Sequence, residues 1–157
     1  MKRVISLLVC VIVLGICGIM AQAPVQWRMS VRMSSADEGE LVLKAYIEPG
    51  WHLYGTSIPQ GGPKATSFNF EACRGIRLTG TPKPSIDPVT KHDDMFDLTL
   101  TYWARNVDFR VPFTITDRAS LNLEATVSFM GCDDRTCLPP QTVTLKARVP
   151  VTARSGK

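Results

Sequence analysis

The chain has 157 residues, 45% hydrophobic and 20% charged, with a formal net charge of +4. That length suits one domain with its own core, and no internal repeat or low-complexity linker divides it. Its basic residues are scattered rather than clustered, which excludes a nucleic-acid footprint or a membrane-binding patch.

The first element in chain order is a leader. Lys2 and Arg3 precede an apolar run from Val4 to Met20, and Ala21-Gln22-Ala23 supplies the small residues that signal peptidase requires. Residues 1–23 are therefore expected to be a cleaved signal peptide, with an exported, periplasmic domain over residues 24–157. A retained membrane anchor is the rival reading, although the run sits at the short limit for spanning a bilayer. Lipidation fits less well, because Cys10 follows Val9 and Cys17 follows Ile16, where a small residue is needed. Loss of Lys2 and Arg3 brings the 18 Lys+Arg close to balance with the 14 Asp+Glu, and nothing suggests a polyanionic partner.

Beyond the leader the hydrophobic period is two. Val25, Trp27, Met29, Val31 and Met33 alternate with polar residues, which predicts a half-buried strand. Leu41 to Ile47, Ser67 to Glu71, Gly75 to Thr79 and Leu98 to Ala104 are expected as weaker strands. Clear alternation returns at Val107–Ile115, at Leu121–Phe129 and at Val143–Val149. No segment carries a helical stripe of useful length. Short strands separated by turn signals such as Glu48-Pro49-Gly50 and Gly61-Gly62-Pro63 predict an all-β, immunoglobulin-like antiparallel β-sandwich. The stretch from Gly80 to Asp97, with Pro82, Pro84 and Pro88, has little strand pattern and is expected as a long functional or irregular connection.

Export changes the meaning of the cysteines, and three follow the leader: Cys73, Cys132 and Cys137. The last two flank Asp133-Asp134-Arg135-Thr136. Across a hairpin they lie close enough to bond, whereas in one continuous strand they would stand roughly 16 Å apart. A bridge over so short a loop contributes only about 2 kcal/mol as a staple, which favours a bond that opens and closes over one that merely holds. Zinc is the other alternative, with His52 and His92 as extra ligands, but no second cysteine pair completes such a site. Cys73 fits a small buried hydrophobe. Trp51, Trp103 and Tyr102 fit core or edge packing, while Asp93, Asp94 and Asp97 fit either a solvated loop or a set that tunes thiol acidity. No nucleophile triad, phosphate-binding loop or paired-carboxylate site is present, and no cofactor is expected.

Three segments are recognisable together: Pro49-Gly50-Trp51-His52-Leu53-Tyr54, Lys91-His92-Asp93-Asp94-Met95-Phe96, and Gly131-Cys132 through Cys137-Leu138-Pro139-Pro140. In this order they resemble the N-terminal periplasmic domains of thiol:disulfide interchange protein DsbD, also described as disulfide bond corrector domains. The resemblance covers essentially all of residues 24–157. It implies an immunoglobulin-like sandwich whose cysteines, Cys132 and Cys137, exchange electrons, with Cys137 forming mixed disulfides. Phe96, with Asp94 and Met95, would belong to a cap loop that shields the pair, and Tyr54 and Trp51 would be aromatics around it. The implied partners are a thioredoxin-like donor linked to a membrane reductase, and acceptors of the disulfide isomerase or cytochrome c maturation type. The loop between the cysteines is one residue shorter than in the best-known members. The chain is also expected to lack its own thioredoxin-like domain, so the donor would be a second polypeptide and the domain itself a monomer. The competing function is a non-catalytic sandwich binding module whose short disulfide stiffens a recognition loop.

Overall fold

A computed structural model describes residues 23–150, so residues 1–22 of the predicted leader lie outside the described residues. Twelve strands and no helix occur among them. They are β1 (Val25–Met33), β2 (Glu38–Ile47), β3 (His52–Tyr54), β4 (Ser67–Asn69), β5 (Ile76–Leu78) and β6 (Lys83–Pro84). The second half supplies β7 (Val89–Asp93), β8 (Leu98–Trp103), β9 (Val107–Ile115), β10 (Leu123–Phe129), β11 (Gly131–Cys132) and β12 (Gln141–Ala147). All their pairings are antiparallel.

One sheet runs β1-β2-β9-β5, with β6 also pairing to β9; a second runs β12-β10-β4; a third runs β11-β3-β8-β7. The alternation read in the sequence sets which side chains turn inward. In β9, Val107, Phe109, Val111, Phe113 and Ile115 are buried, and in β10 so are Leu123, Ala125, Val127 and Phe129. Trp27 lies opposite Ala45, and this small partner leaves room for the indole to meet Phe109, Phe129 and Phe68 at 5.7, 5.7 and 5.9 Å between ring centroids. These aromatic contacts join the first sheet to the second. Trp103 carries the third sheet into the same core, 5.0 Å from Phe109, with its indole N–H donating to the Ile86 carbonyl. The result is an immunoglobulin-like β-sandwich.

The stretch from Gly80 to Asp97 corrects the expectation of a patternless connection. It contains β6 and β7, and β7 pairs residue by residue with β8 from Val89↔Tyr102 to Asp93↔Leu98. The β7 side chains are mostly exposed, so backbone bonds rather than burial hold this edge strand, and no hydrophobic period marks it. Leu121 and Val149 fall outside the strands expected to hold them, although both pack against the core.

Candidate redox site

The segment between β10 and β12 folds back as a tight hairpin. Asp133 N donates to the Thr136 carbonyl at 2.9 Å and Leu138 N donates to the Gly131 carbonyl at 3.0 Å. Between these two bonded positions Cys132 and Cys137 form a non-hydrogen-bonded pair, the narrow kind in which opposing side chains stand closest. Their Cα atoms are 4.1 Å apart, and a disulfide joins them. The turn is made by Asp133, whose Oδ1 accepts from the backbone N–H groups of Arg135 and Thr136 at 2.8 and 2.6 Å. Those two bonds, Arg135 first, hold the Asp133 carboxyl below its usual range.

The two sulfurs differ in access. Cys132 is fully buried at 0% exposure, whereas Cys137 is half-buried. Strand alternation explains the difference. On β3 and β8 the paired Leu53 and Trp103 face the main core, while the paired Tyr54 and Tyr102 face the other way. β11 continues this pattern: Gly131 opposes Leu53 and Cys132 opposes His52. Cys132 thus joins Tyr54 and Leu100 in a second, small apolar cluster on the outward face of the sheet. A Cβ on Gly131 would stand 3.0 Å from Val25 Cγ2, so glycine lets this strand approach β1.

The tip of the β7–β8 hairpin lies over the disulfide. Asp93 organises it: Oδ2 accepts from the Tyr54 hydroxyl at 2.8 Å, and Oδ1 accepts from Met95 N at 3.0 Å and Phe96 N at 3.3 Å. Burial, then the Asp93 carboxylate, push the Tyr54 phenol well above its usual value, so it stays a donor. The Phe96 ring meets Tyr54 edge-on at 5.9 Å and packs on the Cys132 cluster. Met95, 49% exposed, reaches Cys137, with Sδ 3.4 Å from Sγ. The turn closes at Asp97, whose φ of 51° lies in the left-handed region.

The structure therefore brings Cys132, Cys137, Tyr54, Met95 and Phe96 together, with Met95 Sδ against the accessible sulfur. Asp94 points to solvent and lies 3.7 Å from His92 Nε2. Trp51 packs against the main core and is not part of the cysteine cluster. His52 and Tyr102 were read in the sequence only as a metal ligand and a packing residue; both line the cleft of ≈ 310 Å³ beside the cysteines. The alternation of His52 with Tyr54 was the available signal, since residues two apart on a strand share a face. Among the described residues no group of His, Cys and carboxylates is arranged to hold a metal. Cys73 is a free, half-buried thiol that donates to the Glu124 carbonyl at 3.2 Å, and burial raises it.

A β-sandwich that carries a disulfide on a capped hairpin, one sulfur buried and one accessible, is a thiol:disulfide interchange domain in class. The chain belongs to the family described as thiol:disulfide interchange protein DsbD, N-terminal, whose model matches residues 19–148. Among solved structures it is similar to the Neisseria meningitidis DsbD N-terminal domain in the reduced form, at 14% identity and a TM-score of 0.54, covering 78% of this chain and 83% of that one. It is also similar to the N-terminal periplasmic domain of ScsB from Proteus mirabilis, at 18% identity and a TM-score of 0.51, covering 74% of this chain and 42% of that one. At these identities the structures speak for the fold. A comparison with curated proteins finds no match.

Proposed function

We propose that this domain relays two electrons in the periplasm by dithiol/disulfide exchange. It takes them from a thioredoxin-like donor tied to a membrane reductase and passes them to thioredoxin-fold acceptors of the disulfide isomerase or cytochrome c maturation type. The observation that carries the reading is the asymmetry of the pair, with Cys137 half-buried under Met95 and Cys132 wholly enclosed. A donor thiolate attacks Cys137 Sγ, the Cys132–Cys137 bond breaks, and Cys132 leaves with the electron pair. The donor's second thiolate then attacks its own sulfur in the mixed disulfide, which releases Cys137 as thiolate and leaves the donor oxidised. Transfer to an acceptor runs the same steps in reverse. The leader expected from the sequence and family membership together support the periplasm as the place.

The test is a redox titration combined with stopped-flow reduction of the oxidised domain. Relay predicts a midpoint within the range of exported thioredoxin-like proteins, and reduction by such a protein much faster than by glutathione at matched thiolate concentration. A bond that withstands dithiothreitol at equilibrium would instead make the hairpin the stiffened loop of a binding module.

A further inference from the structure

We infer that His52 exchanges the proton of the buried sulfur, Cys132, during each exchange event. This inference rests on the exchange proposed at the Cys132–Cys137 pair. Cys132 stands in the middle of three adjacent strand segments, with Cys137 opposite it on one side and His52 opposite it on the other. Directly opposed residues of an antiparallel pair project to one face with Cβ atoms about 4.5 to 5.5 Å apart, which puts an imidazole within reach of a cysteine sulfur. The ring is set by its neighbours: it meets Tyr54 edge-on at 5.4 Å and Tyr102 at 4.8 Å. The ring lines the cleft beside the hairpin, which gives it a path to solvent for proton transfer.

The need for such a group follows from burial. When a thiolate attacks Cys137, the leaving sulfur is Cys132, and its negative charge appears at 0% exposure among Tyr54 and Leu100. A thiolate there is costly unless it is protonated or paired. Protonated His52 delivers a proton to Cys132 as the S–S bond breaks and becomes neutral. In the other direction neutral His52 takes the proton from the Cys132 thiol; the Cys132 thiolate then attacks Cys137 Sγ in the mixed disulfide, and the partner leaves as thiolate. Electrons and protons balance in both directions, and the cleft beside His52 returns the proton to solvent.

The surrounding groups act on His52 in opposite directions. Burial lowers its proton affinity, while the carboxylates of Asp93 on β7 and of Asp134 and Asp133 in the hairpin raise it, and Lys91 on β7 lowers it. The phenols of Tyr54 on β3 and Tyr102 on β8 complete the shell. Burial, the largest effect, lowers the imidazole from its ordinary value and so favours the neutral base of the resolving step; the protonated form used when the S–S bond breaks draws its proton from solvent through the cleft.

The test follows decay of the mixed disulfide between reduced domain and a thioredoxin-fold disulfide substrate, in wild type, His52→Gln and His52→Ala. Both variants are expected to form it at the wild-type rate through Cys137 and to resolve it about 10²-fold more slowly at pH 7. Wild-type resolution should slow as pH falls through the His52 titration, the variants should lack that limb, and added imidazole should restore His52→Ala. Wild-type resolution with an unchanged pH profile in a folded, reactive variant would overturn the role of His52 and leave exchange standing. Failure of wild type itself to form a mixed disulfide would overturn the exchange reading instead.

Discussion

Met95 Sδ lies 3.4 Å from Cys137 Sγ. Because Cys137 is bonded to Cys132 it has no proton to donate, so this is packing of a thioether over the accessible end of the disulfide. The side chain is flexible and about half exposed, so it covers the sulfur without locking it.

Replacing Met95 by Ala should leave thermal stability within about 0.5 kcal/mol, as for other exposed substitutions. Alkylation of the reduced pair by iodoacetamide should rise several-fold. Phe96→Ala should differ, because it also loses the edge contact with Tyr54 and part of the outer cluster. A cost of about 1 to 2 kcal/mol is expected, below the 3 to 5 of a wholly buried phenylalanine. Chemical unfolding together with alkylation rates decides both; unchanged thiol reactivity in the two folded variants would remove the cap.

The burial difference predicts unequal cysteine variants. Cys132→Ser should accumulate mixed disulfides through Cys137, whereas Cys137→Ser should trap few partners, since Cys132 has no exposed surface. Non-reducing gels of each variant with a thioredoxin-fold protein provide the measurement, and equal trapping would contradict the assignment.

Asp93 holds the tip of the β7–β8 hairpin by three hydrogen bonds, one from Tyr54 and two from the backbone of Met95 and Phe96. Tyr54→Phe removes one and is expected to cost about 1 kcal/mol. Asp93→Ala removes all three, so amide exchange at Met95 and Phe96 should speed up more than in Tyr54→Phe. If the order were reversed, the tip would be held by ring packing and not by the carboxylate.

The Asp133 turn gives a pH dependence with a definite sign. Its carboxyl is held below the usual 3.8 by bonds from Arg135 and Thr136 N–H, so the turn is favoured above that value. The contribution is lost as pH falls through the lower, folded value. Protection of the Arg135 and Thr136 amides, taken relative to their intrinsic exchange rates, should therefore fall on acidification below pH 3.8 in wild type. In Asp133→Ala it should already be low at neutral pH, and a flat wild-type profile would show that the turn stands without this carboxylate.

The long alternating strands were legible because each has one buried face: Val107 to Ile115 and Val25 to Met33 read out their own burial. The cysteine turn was legible from its spacing. β7 was not, because Val89-Thr90-Lys91-His92-Asp93 gains its place through backbone pairing with β8 and buries little. β3 and β11, at three and two residues, are too short to show a period. The position of His52 opposite Cys132 is a matter of register between segments far apart in the chain, which no local pattern encodes.

The third sheet separates Leu53 and Trp103 on its inner side from Tyr54, Tyr102 and Cys132 on its outer side. It acts as a partition between the main core and a smaller buried cluster that holds the disulfide. Because successive β3 residues fall in different compartments, neighbours in sequence such as Leu53 and Tyr54 are free to change under separate selection. Substitutions drawn one from each side, with no shared partner, should combine additively in stability to within about 0.5 kcal/mol. Changes in the outer cluster can thereby leave the packing of the sandwich beneath it in place.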